Sequence, residues 1–148
     1  MVGLAGPGRS SRGPISVVEA SEEEILDIEL EEDILARNRA LAAENRALLD
    51  GHGVLCVDVM GSIGSGKTSI IERLVERLKD RYRMGFIAGD LTTTIDAERI
   101  ARHGVSVVQV NTGRECHLDA NLVAKALAQL DLEDLDLLFI ENVGNLIC

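Results

Sequence analysis

Eight residues constrain this chain more than any others. Gly61-Ser62-Ile63-Gly64-Ser65-Gly66-Lys67-Thr68 matches G-x-x-x-x-G-K-[ST], and it stands between a β-branched run and an amphipathic one. The run before it, Val54-Leu55-Cys56-Val57-Asp58-Val59-Met60, reads as a buried strand ended by Gly61. The run after it sets Ile70, Ile71, Leu74, Val75 and Leu78 at i, i+3, i+4 spacing, with Glu72, Arg73, Glu76 and Lys79 on the polar side, and predicts a helix over 67–80. In that setting the glycines let backbone N–H groups turn inward around a phosphate, and the helix start adds its positive dipole end. Lys67 then reaches the β and γ oxygens, and Thr68 offers its hydroxyl to Mg²⁺. The candidate phosphate-binding residues are Gly61, Ser62, Ile63, Gly64, Ser65, Gly66, Lys67, Thr68 and Ser69. A turn that merely joined strand to helix would not need the Lys-Thr pair.

The rest of the chain alternates in the same sense. Strands are predicted at about 84–88, 105–110 and 136–141, and helices at about 95–103 and 118–130, which implies βαβ units on a parallel sheet. The fold class is α/β, a P-loop NTPase with a mostly parallel sheet flanked by helices. Ahead of it, Ser21 with Glu24 forms a capping box, and Ile25, Ile28, Leu35, Leu41, Leu48 and Leu49 recur at roughly helical spacing, so one or two helices cover 21–50. Residues 1–20 read as a disordered leader, rich up to Pro14 in Gly, Pro, Ser and Arg without periodicity. The expected domains are thus the leader 1–20, a helical N-terminal extension 21–50, and the phosphate-binding domain 51–148.

Charge and composition remove whole classes of function. The net charge is −10, and residues 1–50 hold 11 acidic against 5 basic residues. With one tyrosine, two phenylalanines and no tryptophan, the chain lacks the basic patch and stacking aromatics of a nucleic-acid binder. The acidic stretch Ser21–Asp33 is a solvated face or a partner-docking surface. No apolar run approaches the roughly 18 residues of a membrane span, and the leader has no apolar core, so no membrane partner and a cytoplasmic location are expected.

A phosphate-bound Mg²⁺ calls for carboxylates at the ends of neighbouring strands, and Asp90 and Glu141 follow the second and fourth predicted strands. Lys67, Asp90 and Glu141 are the candidate catalytic residues; Thr68, Asp90 and Glu141 are the candidate Mg²⁺ set. The plainer roles are a helix cap for Asp90 and a strand-end charge for Glu141. Glu141-Asn142-Val143-Gly144 also has the acid-x-x-Gly form in which a glycine N–H can sense a γ-phosphate. Of the cysteines, Cys56 reads as a packed, inert thiol. Cys116-His117 is a soft thiol–imidazole pair that two copies could complete into a tetrahedral metal shell, and Cys148 could join it. On spacing alone a structural role for the pair stays open, and so does a nucleophilic dyad.

These residues resemble the hydrogenase maturation nickel-incorporation GTPases (HypB-type), especially the archaeal kind. The resemblance runs from about Leu35 to Cys148, through Ala43-Glu44-Asn45-Arg46, Met60–Thr68, Ala88-Gly89-Asp90, Asp96-Ala97-Glu98-Arg99, Asn111–Ala120 and Leu138–Cys148. It implies GTP and Mg²⁺ as ligands, Ni²⁺ or Zn²⁺ on Cys116, His117 and Cys148, and a nucleotide- and metal-linked homodimer. It also implies a hydrogenase large-subunit precursor and a nickel-binding accessory protein as partners. The family's Asn-Lys-x-Asp guanine-reading segment does not occur in these residues, so the C-terminal part of the domain is expected to be missing and guanine specificity is implied by kinship. The family's amino-terminal Cys- or His-rich metal motif is likewise absent here. Other functions compatible with the residues are a P-loop ATPase or small-molecule kinase, or a non-catalytic module that binds nucleotide and metal.

Overall fold

The computed structural model describes residues 22–62, 64–89, 94–110 and 118–142. The expected leader, and with it Ile63, Asp90, Cys116, His117, Gly144 and Cys148, lie outside the described residues. The elements in chain order are α1 (Glu22–Gly51), β1 (Leu55–Val59), α2 (Lys67–Leu78), β2 (Met84–Ala88), α3 (Thr94–Ala101), β3 (Ser106–Gln109), α4 (Ala120–Leu127), a 3₁₀ turn (Leu132–Asp134) and β4 (Leu137–Glu141).

All pairings in the sheet are parallel and its order is β1-β4-β2-β3. Alternation along the strands divides the core into two layers. Met84, Phe86 and Ala88 of β2 and Leu137 and Phe139 of β4 meet Ile71 and Val75 of α2 and Ile100 of α3 on one face. Ile87, Leu138 and Ile140 meet Leu49 of α1 and Ala126 and Leu127 of α4 on the other. Strands covered on both faces carry continuous apolar runs, and β2 and β4 are buried at every position. β1 departs from the expectation of a buried strand: Leu55 is 66% exposed and Asp58 is exposed. Among the described residues β1 pairs with β4 alone, and two of its five side chains, Leu55 and Asp58, are exposed.

The chain divides into two compact units, Met1–Asp33 and Ile34–Cys148. α1 is one continuous helix, and of its apolar positions from Leu30 onward Leu49 is buried while Leu30, Ile34, Leu35 and Leu48 are exposed. Within the second unit it contributes polar anchors instead. Asn38 Oδ1 accepts from the Ala120 amide and Asn45 Nδ2 donates to the Ala120 carbonyl, both at 2.8 Å. The expected helix 118–130 therefore starts two residues late. Asp119 is extended (φ −81°, ψ 169°) and acts as its N-cap, accepting from the Leu122 amide at 2.7 Å. No helix among the described residues is long and apolar enough to cross a membrane.

Candidate functional site

The site grows out of the turn between β1 and α2. Gly66, the N-cap of α2, has φ 89°, which glycine adopts without the steric penalty of a Cβ. No side chain caps this helix start, so its first-turn amides and positive dipole end are offered to an anion. Lys67 is buried, and its Nζ donates to the carbonyls of Gly61 at 3.0 Å and Ser62 at 3.2 Å. The ammonium is thus folded back across the mouth of its own loop, beside the place where phosphate oxygens would sit.

Parallel pairing then brings in the far end of the chain. Glu141 ends β4 in register with Val59 of β1 and Ala88 of β2, and only 2% of it is exposed. The Thr68 hydroxyl donates to it, at 2.8 Å from Oε1 and 3.0 Å from Oε2. A hydroxyl held this way keeps its oxygen lone pairs for a cation, while the carboxylate beside it can accept from a cation's water ligands. Gly64, Gly66, Lys67, Thr68 and Ser69 line a cleft of about 270 Å³ together with Asp96, Arg99 and Glu141.

Of the expected site residues, Lys67, Thr68 and Glu141 come together in this cleft, together with Gly64, Gly66 and Ser69. Gly61 and Ser62 hold the lysine, and Ser65 donates its amide to the Ser62 carbonyl at 3.1 Å. Ile63, Asp90, Cys116, His117 and Cys148 fall outside the described residues.

Asp96 and Arg99 were not singled out by sequence reasoning as site residues. Arg99 is bound by Glu72 of α2, and Asp96 accepts from it at 3.3 Å. Their i, i+3 spacing on the helix that follows β2 was the available signal. Burial pulls the Glu72 carboxyl up, but the hydrogen bonds and charges of Arg99 and His103 outweigh it and hold the group below the usual carboxylate range. The same ion pairs raise Arg99.

Cys56 packs against the Leu49–Ile140 layer of the core. Burial, with the charge of Asp58 added, pushes its thiol up to about 11 and suppresses the thiolate that would react. Asp58, though exposed at its outer side, is itself raised by partial desolvation, with a hydrogen bond from Asn142 working the other way.

The sequence matches the family model described as CobW/HypB/UreG, nucleotide-binding domain, over residues 55–148. It is 57% identical over 121 residues to the probable hydrogenase maturation factor HypB of Methanocaldococcus jannaschii, an alignment covering 82% of this chain and 55% of that protein. The crystal structure of the hydrogenase maturation factor HypB from Archaeoglobus fulgidus superposes with a TM-score of 0.70 at 46% identity, over 76% of this chain and 55% of that one. That of HypB from Helicobacter pylori in complex with nickel gives a TM-score of 0.69 at 40% identity, over 76% and 53%. The chain spans about half the length of these relatives. With the family model matched across the sheet, the loop and the strand-end carboxylate, the chain belongs to the CobW/HypB/UreG nucleotide-binding domain family.

Proposed function

We propose that this chain is the nucleotide-binding part of a GTP-hydrolysing nickel chaperone that serves the maturation of [NiFe] hydrogenase in the cytoplasm. The observation that carries the reading is the buried Thr68–Glu141 pair beside Lys67, a donor set suited to Mg²⁺ and phosphate together. Thr68 would hold Mg²⁺ directly and Glu141 through its waters, with Asp90 as a further carboxylate in the same set. When bound, the ion neutralises charge on the β and γ phosphates.

The chain's own groups supply the rest. The loop amides and the start of α2 bind the phosphates. Lys67 leaves the Gly61 and Ser62 carbonyls for the β and γ oxygens, where negative charge gathers as water attacks the γ-phosphorus and the bond to the β–γ bridging oxygen breaks. GDP and phosphate are the products, and the attacking water's proton ends on phosphate.

Nickel is the cargo in this reading, and the nickel complex of the Helicobacter pylori relative supports it. Cys116, His117 and Cys148 are the proposed Ni²⁺ or Zn²⁺ ligands. These are three donors, and in this reading a second copy completes a four-coordinate shell, so that metal is linked to a homodimer. A hydrogenase large-subunit precursor and a nickel-binding accessory protein are the proposed recipients and donors.

Phosphate release from GTP tests the catalytic half. Lys67→Ala should lower the rate about 10²–10³-fold, as the loss of other preorganised charge stabilisers does. An unchanged rate refutes the assignment.

A further inference from the structure

A second group of polar side chains gathers outside the residues that line the nucleotide cleft, where α2 meets the end of α3. Glu72 and Glu76 are four residues apart, so both carboxylates stand on one face of α2. His103 comes to them from the turn after α3. Its amide donates to the Ile100 carbonyl at 3.0 Å, and Ile100 is fully buried with Ile71 and Val75 of α2, so a core contact fixes the backbone that presents the imidazole. His103 Nε2 lies 3.6 Å from Glu72 Oε1 and 3.9 Å from Glu76 Oε1. Among the described residues these are the one group of three His, Cys, Asp or Glu side chains whose donor atoms all lie within 4.8 Å of one another.

Each carboxylate is already oriented through its other oxygen. Arg99 binds Oε2 of Glu72, and Arg73 lies 3.5 Å from Oε2 of Glu76. Ligating carboxylates are held by outer partners in this way. Both Oε1 atoms then face one imidazole nitrogen, which carries a single proton at most and cannot serve two acceptors in full. The two separations exceed the roughly 2.7–3.2 Å of a full hydrogen bond. They come close to the spacing of about 3.3–3.6 Å between ligands that sit about 2.0–2.2 Å from a tetrahedral Zn²⁺.

We propose that Glu72 Oε1, Glu76 Oε1 and His103 Nε2 form a site for one borderline divalent cation, such as Zn²⁺ or Co²⁺, that ties the end of α3 to α2. The site is separate from the proposed Mg²⁺ set and from Cys116, His117 and Cys148, and it does not rest on the proposed function. An imidazole beside two carboxylates favours these cations over Mg²⁺ and Ca²⁺, which take oxygen ligands. Glu76 is exposed, so water can fill the fourth position. With no thiolate among its donors, the site holds its ion less tightly than a Cys–His shell does.

The test is Co²⁺ titration of the full-length protein with Cys116, His117 and Cys148 all replaced by alanine, read by the visible d–d absorption of the bound ion. One Co²⁺ should bind per chain without the charge-transfer band of a thiolate site; Zn²⁺ should displace it and excess Mg²⁺ should not. Glu76→Gln, which leaves the Glu72–Arg99 pair in place, and His103→Ala should each weaken binding at least about tenfold, a loss that outer-shell changes alone can cause. His52→Ala, which removes an imidazole at the end of α1, should leave binding unchanged. Should the triple replacement unfold the protein, equilibrium dialysis of Zn²⁺ takes the titration's place: His103→Ala should hold one equivalent fewer per chain than wild type, and an equal number overturns the proposal. A folded triple variant that binds no Co²⁺, binding that survives both Glu76→Gln and His103→Ala, binding lost equally in His52→Ala, or displacement by Mg²⁺ would each overturn it as well, and all leave the proposed function standing.

Discussion

Replacing Thr68 with valine keeps the side chain's volume and removes one hydroxyl. That hydroxyl lies 2.8 and 3.0 Å from the two oxygens of a carboxylate that is only 2% exposed. One proton cannot make two full bonds, so the loss counts once, as a single buried hydrogen bond to a charged acceptor, worth about 1.5–3 kcal/mol. At roughly 2–4 °C per kcal/mol for a chain of this size, thermal unfolding should shift down by roughly 3–12 °C. Glu141→Leu should be costly too, since it leaves the hydroxyl facing an apolar group. The double variant should cost less than the sum of the two by more than about 1 kcal/mol, because each single change takes a hydrogen-bond partner from a buried polar group and the double removes both groups together. Urea denaturation in the absence of nucleotide reads that coupling. Calorimetric titration of a non-hydrolysable GTP analogue reads the second consequence, loss of the increment in affinity that Mg²⁺ adds to wild type. A coupling below about 0.5 kcal/mol, or an undiminished Mg²⁺ increment, would refute the pair as the centre of the site.

Three further outcomes follow from neighbouring groups. At pH 8 Cys56, with its thiol pushed up to about 11, should react with iodoacetamide about a hundredfold more slowly than an ordinary thiol with a pKa of 9.0, and at the ordinary rate once the chain is unfolded; peptide mapping by mass spectrometry checks it. The folded carboxyl of Glu72 lies below its unfolded value, so its contribution to stability is present above the unfolded pKa of about 4.3 and fades as pH falls through the lower folded value. Denaturation of Glu72→Gln should therefore differ from wild type at pH 7 and converge with it in acid, and a constant difference down to pH 2 would contradict the ion-pair account. Sedimentation equilibrium should show Ni²⁺ driving wild type, and not Cys116→Ala, into dimers; tight nickel binding by a monomer would sink the two-fold metal shell.

What the sequence determined by itself was local. The loop Gly61–Thr68 announces its chemistry because a phosphate cradle needs small residues, a lysine and a hydroxyl at fixed short spacing, and that pattern survives without any knowledge of the fold. The strands 84–88 and 137–141 and the amphipathic α2 were legible because burial on two faces or one leaves a run or a 3.6-residue period. What only the tertiary structure decided was adjacency. The order β1-β4-β2-β3 puts Glu141 against Thr68 across 73 residues of chain, and periodicity carries no information about which strand lies beside which. Among the described residues it also leaves β1 paired on one side only, and a run that reads as fully buried has Leu55 and Asp58 exposed. The polar contacts of Asn38, Asn45, Asp96, Arg99 and Asn142 belong to the same class. Each is a common residue of α1, α3 or the end of β4 whose role depends on a partner brought to it by packing, and a side chain does not encode its partner in its own neighbourhood.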